Sequence, residues 1–136
     1  MTMRSATARR LVTVVYVVGA WTLLRRRRTT DAIRSLIRRG PGVDGLDPGR
    51  IAFTVGRVSQ MLHIDCLPRS VALAAMLERA GAHPVLILGC RRGEDAAWVA
   101  HAWVEVDGRP LDAGAGAFMP LARLSAAGAW IPSATA

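Results

Sequence analysis

The spacing of apolar residues changes once along this chain, at Gly81, and that change constrains the fold more than any other feature. Before it, apolar positions recur at helical intervals: Ile33, Leu36 and Ile37, then Ile51, Val55, Val58 and Leu62, then Leu73 and Leu77. After it, Val85–Gly89 reads as a short buried strand and 96–106 as a second one. Helices first and strands afterwards predict an α+β plan with an antiparallel sheet. At 136 residues the chain supports one domain with at most a small appendage. The expected organisation is a basic helical region, 1–50, packed on a core at 51–125, followed by a tail at 126–136.

Composition removes several classes. With 51% apolar residues the chain is not intrinsically disordered, and two cysteines, Cys66 and Cys90, make no disulfide framework. All 18 basic residues are arginine, a bias that resembles GC-rich codon usage more than selection for phosphate binding. Aromatic residues make up 5%, too few for a base-stacking platform, so nucleic acid is not an expected partner. Residues 1–50 hold 11 arginines and 3 acids, a net of +8; residues 51–136 hold 7 of each, a net of zero. The basicity belongs to the N-terminal third.

Within that third, 11–24 (LVTVVYVVGAWTLL) is an apolar run between Arg9-Arg10 and Arg25–Arg28. As a helix it reaches about 21 Å, short of a hydrocarbon core of about 30 Å. A helix docked on the protein is therefore the first expectation and a membrane-surface contact the second. A cleaved signal ranks last, because four arginines occupy the place of a cleavage site. Thr30-Asp31 is read as the cap of the next short helix, which Gly40-Pro41-Gly42 stops. A helix over 50–62 follows. The strongest helix is 66–80, capped by Asp65 or a neighbour, with Pro68 in its first turn and Gly81 at its end. Asp107-Gly108 is a two-residue hairpin turn that leads into a return strand near 109–112, and 118–124 is a further strand.

Three of these positions suggest acyl-transfer chemistry. Cys66 opens the strongest helix, where unpaired amides and the helix dipole stabilise negative charge. The arc 66, 70, 73, 77 must face the sheet. His101 lies on the second strand. A turn at Asp107-Gly108 pairs Val106 with Arg109 and Trp103 with Asp112, so His101, Trp103, Pro110 and Asp112 project from one face. Asp112 is then the diagonal neighbour of His101, about 7–8 Å away between backbones. A thiol nucleophile, an imidazole base and an orienting carboxylate are what a cysteine hydrolase needs. The Cys66 amide and, six residues upstream, Gln60 are the candidate oxyanion donors. His63 is a rival base beside Asp65. Cys90 is read as packing, and Cys66, His63, His101 and Cys90 lack any CxxC or HxxH spacing for a metal. No cofactor is expected.

The order Cys, His, Asp on helix then sheet resembles the papain and transglutaminase-like superfamily. Cys-Leu-Pro-Arg-Ser-Val-Ala-Leu (66–73), the VLILG strand and His-Ala-Trp-Val-Glu-Val-Asp-Gly (101–108) resemble the lasso-peptide leader peptidases, the protease half of the lasso B protein. The likeness covers about 51–115 and implies catalytic roles for Cys66, His101 and Asp112. One departure stands out: the family's acid often falls one residue later, at this chain's Ala113. The resemblance implies a cytoplasmic enzyme acting on the leader of a ribosomally made precursor, beside a separate leader-recognition protein and a lasso cyclase. The competing expectations are another transglutaminase-like acyl transferase or amidase, and a catalytically silent scaffold that binds peptide.

Overall fold

A computed structural model describes residues 5–43, 47–126 and 129–131. Four helices, α1 (Ala6–Leu24), α2 (Thr29–Arg39), α3 (Pro48–Met61) and α4 (Cys66–Arg79), precede five strands. These are β1 (Val85–Arg92), β2 (Trp98–Val106), β3 (Arg109–Pro110), β4 (Met119–Ser125) and β5 (Trp130–Ile131), with a single 3-10 turn at Ala115–Ala117. The sheet is antiparallel throughout, in the order β3-β2-β1-β4-β5. The α+β expectation holds. The return strand is shorter than expected, ending at Pro110, and Trp130–Ile131 forms an edge strand inside the stretch read as a tail. Residues 127, 128 and 132–136 of that tail lie outside the described residues.

Helix α4 is the centre of the molecule. Every residue from Ser70 to Leu77 is buried, because the sheet covers one side and α1, α2 and α3 cover the other. A helix enclosed on all sides needs apolar or small residues all round, and Val-Ala-Leu-Ala-Ala-Met-Leu supplies them. Leu86, Ala102, Val104 and Leu124 form the sheet face of this core. Gly81 ends α4 with a φ of +86°, as the sequence suggested. The α2 cap differs from expectation. The helix begins at Thr29 behind Arg28, without a side-chain cap, and Asp31 falls within its first turn, where a carboxylate complements the dipole. Two long-range hydrogen bonds fix the end of α2: Tyr16 donates to the Pro41 carbonyl at 2.6 Å, and Arg79 donates to the Ile37 carbonyl at 2.6 Å.

Helix α1 docks by one face, through Val12, Tyr16, Val17 and Ala20. It spans 19 residues rather than the 14 of the apolar run, since Ala6–Arg10 also coils. It is the one helix among the described residues that is long and apolar enough to cross a membrane by length and composition.

Strand β4 returns beside β1 rather than β3, so residues 111–118 cross the outer face of the sheet. Ala115 and Phe118 pack there with Ile87 and Trp103. Gly89 makes this layer possible. A methyl group at 89 would stand 2.7 Å from the Trp103 ring and 2.8 Å from the Met119 carbonyl, at a bulge in the β1–β4 pairing. Gly89→Ala is expected to lower unfolding stability by about 1–3 kcal/mol, read from denaturant melts, because the backbone on one side cannot yield. Unchanged stability would mean that β4 shifts freely.

Candidate active site

The site is built on the hairpin. Asp107 and Gly108 both adopt positive φ, 53° and 75°, the conformation that a two-residue turn of the primed type demands. That turn sets the register Val106 to Arg109 and Glu105 to Pro110. Although β3 ends at Pro110, the Leu111 amide still donates to the Val104 carbonyl at 2.9 Å. Asp112 is thereby delivered to the face that carries His101. Its Oδ2 accepts a hydrogen bond from His101 Nε2, and its Oδ1 accepts one from the Gly114 amide at 2.9 Å. The other imidazole nitrogen, Nδ1, has no hydrogen-bond partner among the described residues. Phe118 tilts against the ring at 4.7 Å and Trp103 stacks at 5.9 Å, so the imidazole is held between aromatic walls.

A second set of contacts ties α4, from the opposite face of the sheet, to the same edge. The Val104 carbonyl points toward β3, and carbonyls alternate along a strand, so the Ala102 carbonyl points to the same edge. There β3 has already ended. Ser70, buried on α4, donates its hydroxyl to that carbonyl at 3.0 Å and so replaces the missing strand. Cys66 stands one turn earlier as the first residue of α4. It is half-buried, and its thiol has no hydrogen-bond partner among the described residues. Asp65 is the N-cap but makes no side-chain cap bond. Arg69, from the first turn of α4, places Nη2 3.8 Å from Asp112 Oδ2 and ties the cysteine-bearing helix to the carboxylate.

Of the residues picked out from sequence, His101 and Asp112 meet directly, while Cys66 packs against the helix-side core at the start of the helix that Arg69 links to Asp112. Gln60 sits exposed in the last turn of α3, and its side chain makes no hydrogen bond among the described residues. His63 adopts a left-handed φ of 54° on the exposed turn between α3 and α4. Cys90 pairs with Ala100 and Met119 at the far end of β1. Among the described residues no group of three or more His, Cys, Asp or Glu is placed to hold a metal. Sequence reasoning missed Arg69 and the role of Ser70. Both fall within four residues of Cys66, and Ser70 also lies on the arc read as facing the sheet.

Asp112 carries the clearest electrostatic perturbation of the site. Burial acts to raise its pKa, but the Gly114 amide, the His101 hydrogen bond and charge, and the Arg69 guanidinium outweigh it and hold the carboxyl below its ordinary value of 3.8. A carboxyl lowered in the folded state adds stability that is complete above that ordinary value and is lost as pH falls through the folded one. The advantage of wild type over Asp112→Asn in thermal unfolding is therefore expected to be constant near neutrality and to shrink below about pH 4. A difference independent of pH down to acid would show that the charge of Asp112 contributes nothing.

A cysteine at a helix start and a carboxylate-bound histidine on the sheet that packs against that helix are the residue types of acyl-transfer chemistry. The profile of the transglutaminase-like superfamily matches residues 10–124. The chain belongs to that superfamily. The fold is typical of cysteine peptidases and acyltransferases, and the match takes in α1 and α2 as well as the helix and strands of the site. No curated protein and no solved structure matches the chain. The transglutaminase-like domain therefore supports thiol acyl chemistry without naming a substrate.

Proposed function

We propose that the chain is a cysteine peptidase that removes the leader from a ribosomally synthesised lasso-peptide precursor through an acyl-enzyme on Cys66. The observation that carries the reading is the His101–Asp112 hydrogen bond, whose carboxylate Arg69 links to the first turn of α4. Superfamily membership supports the chemistry, and the two motifs around Cys66 and His101 support the substrate class.

The Asp112 bond holds the imidazole proton on Nε2, which leaves Nδ1 to accept the thiol proton. The Cys66 sulfur attacks the carbonyl carbon at the leader–core junction, and the carbonyl electron pair moves to oxygen. The Cys66 amide, free at the helix start, is the donor for that oxyanion, with Gln60 as a second candidate. The tetrahedral species collapses, the carbon–nitrogen bond breaks, and His101 gives its proton to the departing amine of the core. Water, deprotonated by His101, then releases the leader as a free acid and restores the thiol. No cofactor takes part. The reading places the reaction in the cytoplasm, where the precursor is made, with a separate recognition protein presenting the leader and a cyclase taking the core.

Mass spectrometry after incubating the purified chain with precursor and recognition protein tests this. Free leader acid and core amine are expected. Deamidated precursor, or leader joined to an added amine, would instead support the amidase or acyl-transferase chemistry of the wider superfamily. An intact precursor, together with retained precursor binding, would support a silent scaffold.

A further inference from the structure

The outward face of α1 has no partner in the fold. Val12, Tyr16, Val17 and Ala20 are at most 1% exposed, yet Leu11, Val15, Val18 and Trp21 on the other side are 53%, 52%, 42% and 40% exposed. At about 100° per residue, Leu11, Val15, Val18 and Thr22 fall within a narrow arc, with Trp21 on its flank and Arg25 continuing the line. Isolated exposed apolar residues need no explanation, but a contiguous rail of them does.

The charges around the rail indicate what covers it. Helix α1 contains no acidic residue, and its first turns carry Arg9 and Arg10. Arg25–Arg28 follow its C-terminal end, and the Arg25 guanidinium lies 3.9 Å from the centre of the Trp21 ring. Both ends are thus cationic, about 22 Å apart along the helix axis. An apolar stripe with a boundary tryptophan and arginines at both ends is the pattern of a helix lying in the interfacial plane of an anionic bilayer. A spanning orientation is excluded for the folded chain, because the opposite face is committed to the core and Tyr16 is bonded to the Pro41 carbonyl. A protein partner would need a groove of matching length with acidic ends, whereas an anionic membrane surface needs only the exposed rail and the flanking cations.

We propose that α1 attaches the folded protein to anionic membrane surfaces, laying Leu11, Val15, Val18 and Trp21 at the headgroup–acyl boundary while Arg9, Arg10 and Arg25–Arg28 meet lipid phosphates. This stands apart from the proposed peptidase activity and is tested without it. The full chain is mixed with phosphatidylcholine vesicles, with or without phosphatidylglycerol, and floated on a density gradient. Flotation is expected with the anionic vesicles alone and is expected to weaken as salt rises. The exposed-face double variant Val15→Ser/Val18→Ser is expected to lower partitioning about tenfold or more, with an unchanged melting temperature. Arg26→Gln/Arg27→Gln removes charge without touching the rail and is expected to lower anionic binding, which keeps the test decisive if the serine variant folds poorly. Absence of flotation, or flotation equal for wild type and both variants, would overturn the proposal. Concentration-dependent self-association without vesicle binding, abolished by the serine variant, would overturn it in favour of a second copy of the chain on this face.

Discussion

Cys66→Ala is expected to reduce leader removal by about a thousandfold or more, because the step that makes the thioester is lost. The thiol makes no hydrogen bond among the described residues and α4 begins without a side-chain cap, so alanine removes the nucleophile without unsettling the helix start. Cys90→Ala is the matched control. Cys90 stands across from Ala100 and Met119, with no imidazole paired beside it, and its removal is expected to leave the cleavage rate at wild-type level. Rates from the two variants in one cleavage assay separate a catalytic thiol from a general requirement for cysteine. Wild-type turnover by Cys66→Ala would end the thiol mechanism. Dead enzyme from both variants, with unchanged melts, would point to a role for Cys90 that packing does not explain.

His101→Ala is expected to cost about as much as loss of the thiol, since no other imidazole is bound to a carboxylate among the described residues. Asp112→Asn is the more informative change. Asparagine retains an oxygen for the Gly114 amide, so the turn after β3 is kept. Its amide group, however, can donate to Nε2 and drive the imidazole proton onto Nδ1, the atom needed to accept the thiol proton. The expected result is a fall in kcat smaller than that of His101→Ala, with KM close to wild type. Arg69→Gln, which loosens the carboxylate from α4 without removing it, is expected to fall between Asp112→Asn and wild type. An unchanged rate in Asp112→Asn would reduce the machinery to a Cys–His pair. Retained activity in His101→Ala together with loss in His63→Ala would move the base to the α3–α4 turn.

The hairpin was legible because its register follows from two residues. Asp107-Gly108 permits one kind of turn, the turn fixes which residues face each other, and Asp112 reaches His101 as counted from the chain alone. The helix of Cys66 was legible for a similar reason, since Asp65, Pro68 and Gly81 mark its ends and the arc through Ser70, Leu73 and Leu77 marks its inner face. What escaped was non-local. Nothing in Met119–Ser125 indicates whether it pairs with β3 or β1, because strand periodicity reports a face and not a neighbour. The outer layer of Trp103, Ala115 and Phe118 depends on that pairing and escaped with it. Arg69 was unremarkable until Asp112 had a position in space. The double character of α1, buried on one side and bare on the other, was hidden by residues that are apolar on both.

The placement of β1 between β2 and β4 sets the order in which the chain can mature as it leaves the ribosome. Chains generally fold as they are synthesised, N-terminal parts first. All four helices emerge before any strand, and α1, α2 and α3 can gather around α4 at once, leaving only its sheet-facing side uncovered. Strand β1 then emerges with both edges open and an apolar Val-Leu-Ile-Leu run, and the second edge closes only when Met119–Ser125 is available. Through that interval the nascent protein presents an unpaired strand and a bare helix side together, the combination most prone to joining a neighbour's strand. The hairpin that creates the His101–Asp112 pair is completed inside the same interval. The chain thus acquires its prospective catalytic groups during its most vulnerable stage of synthesis.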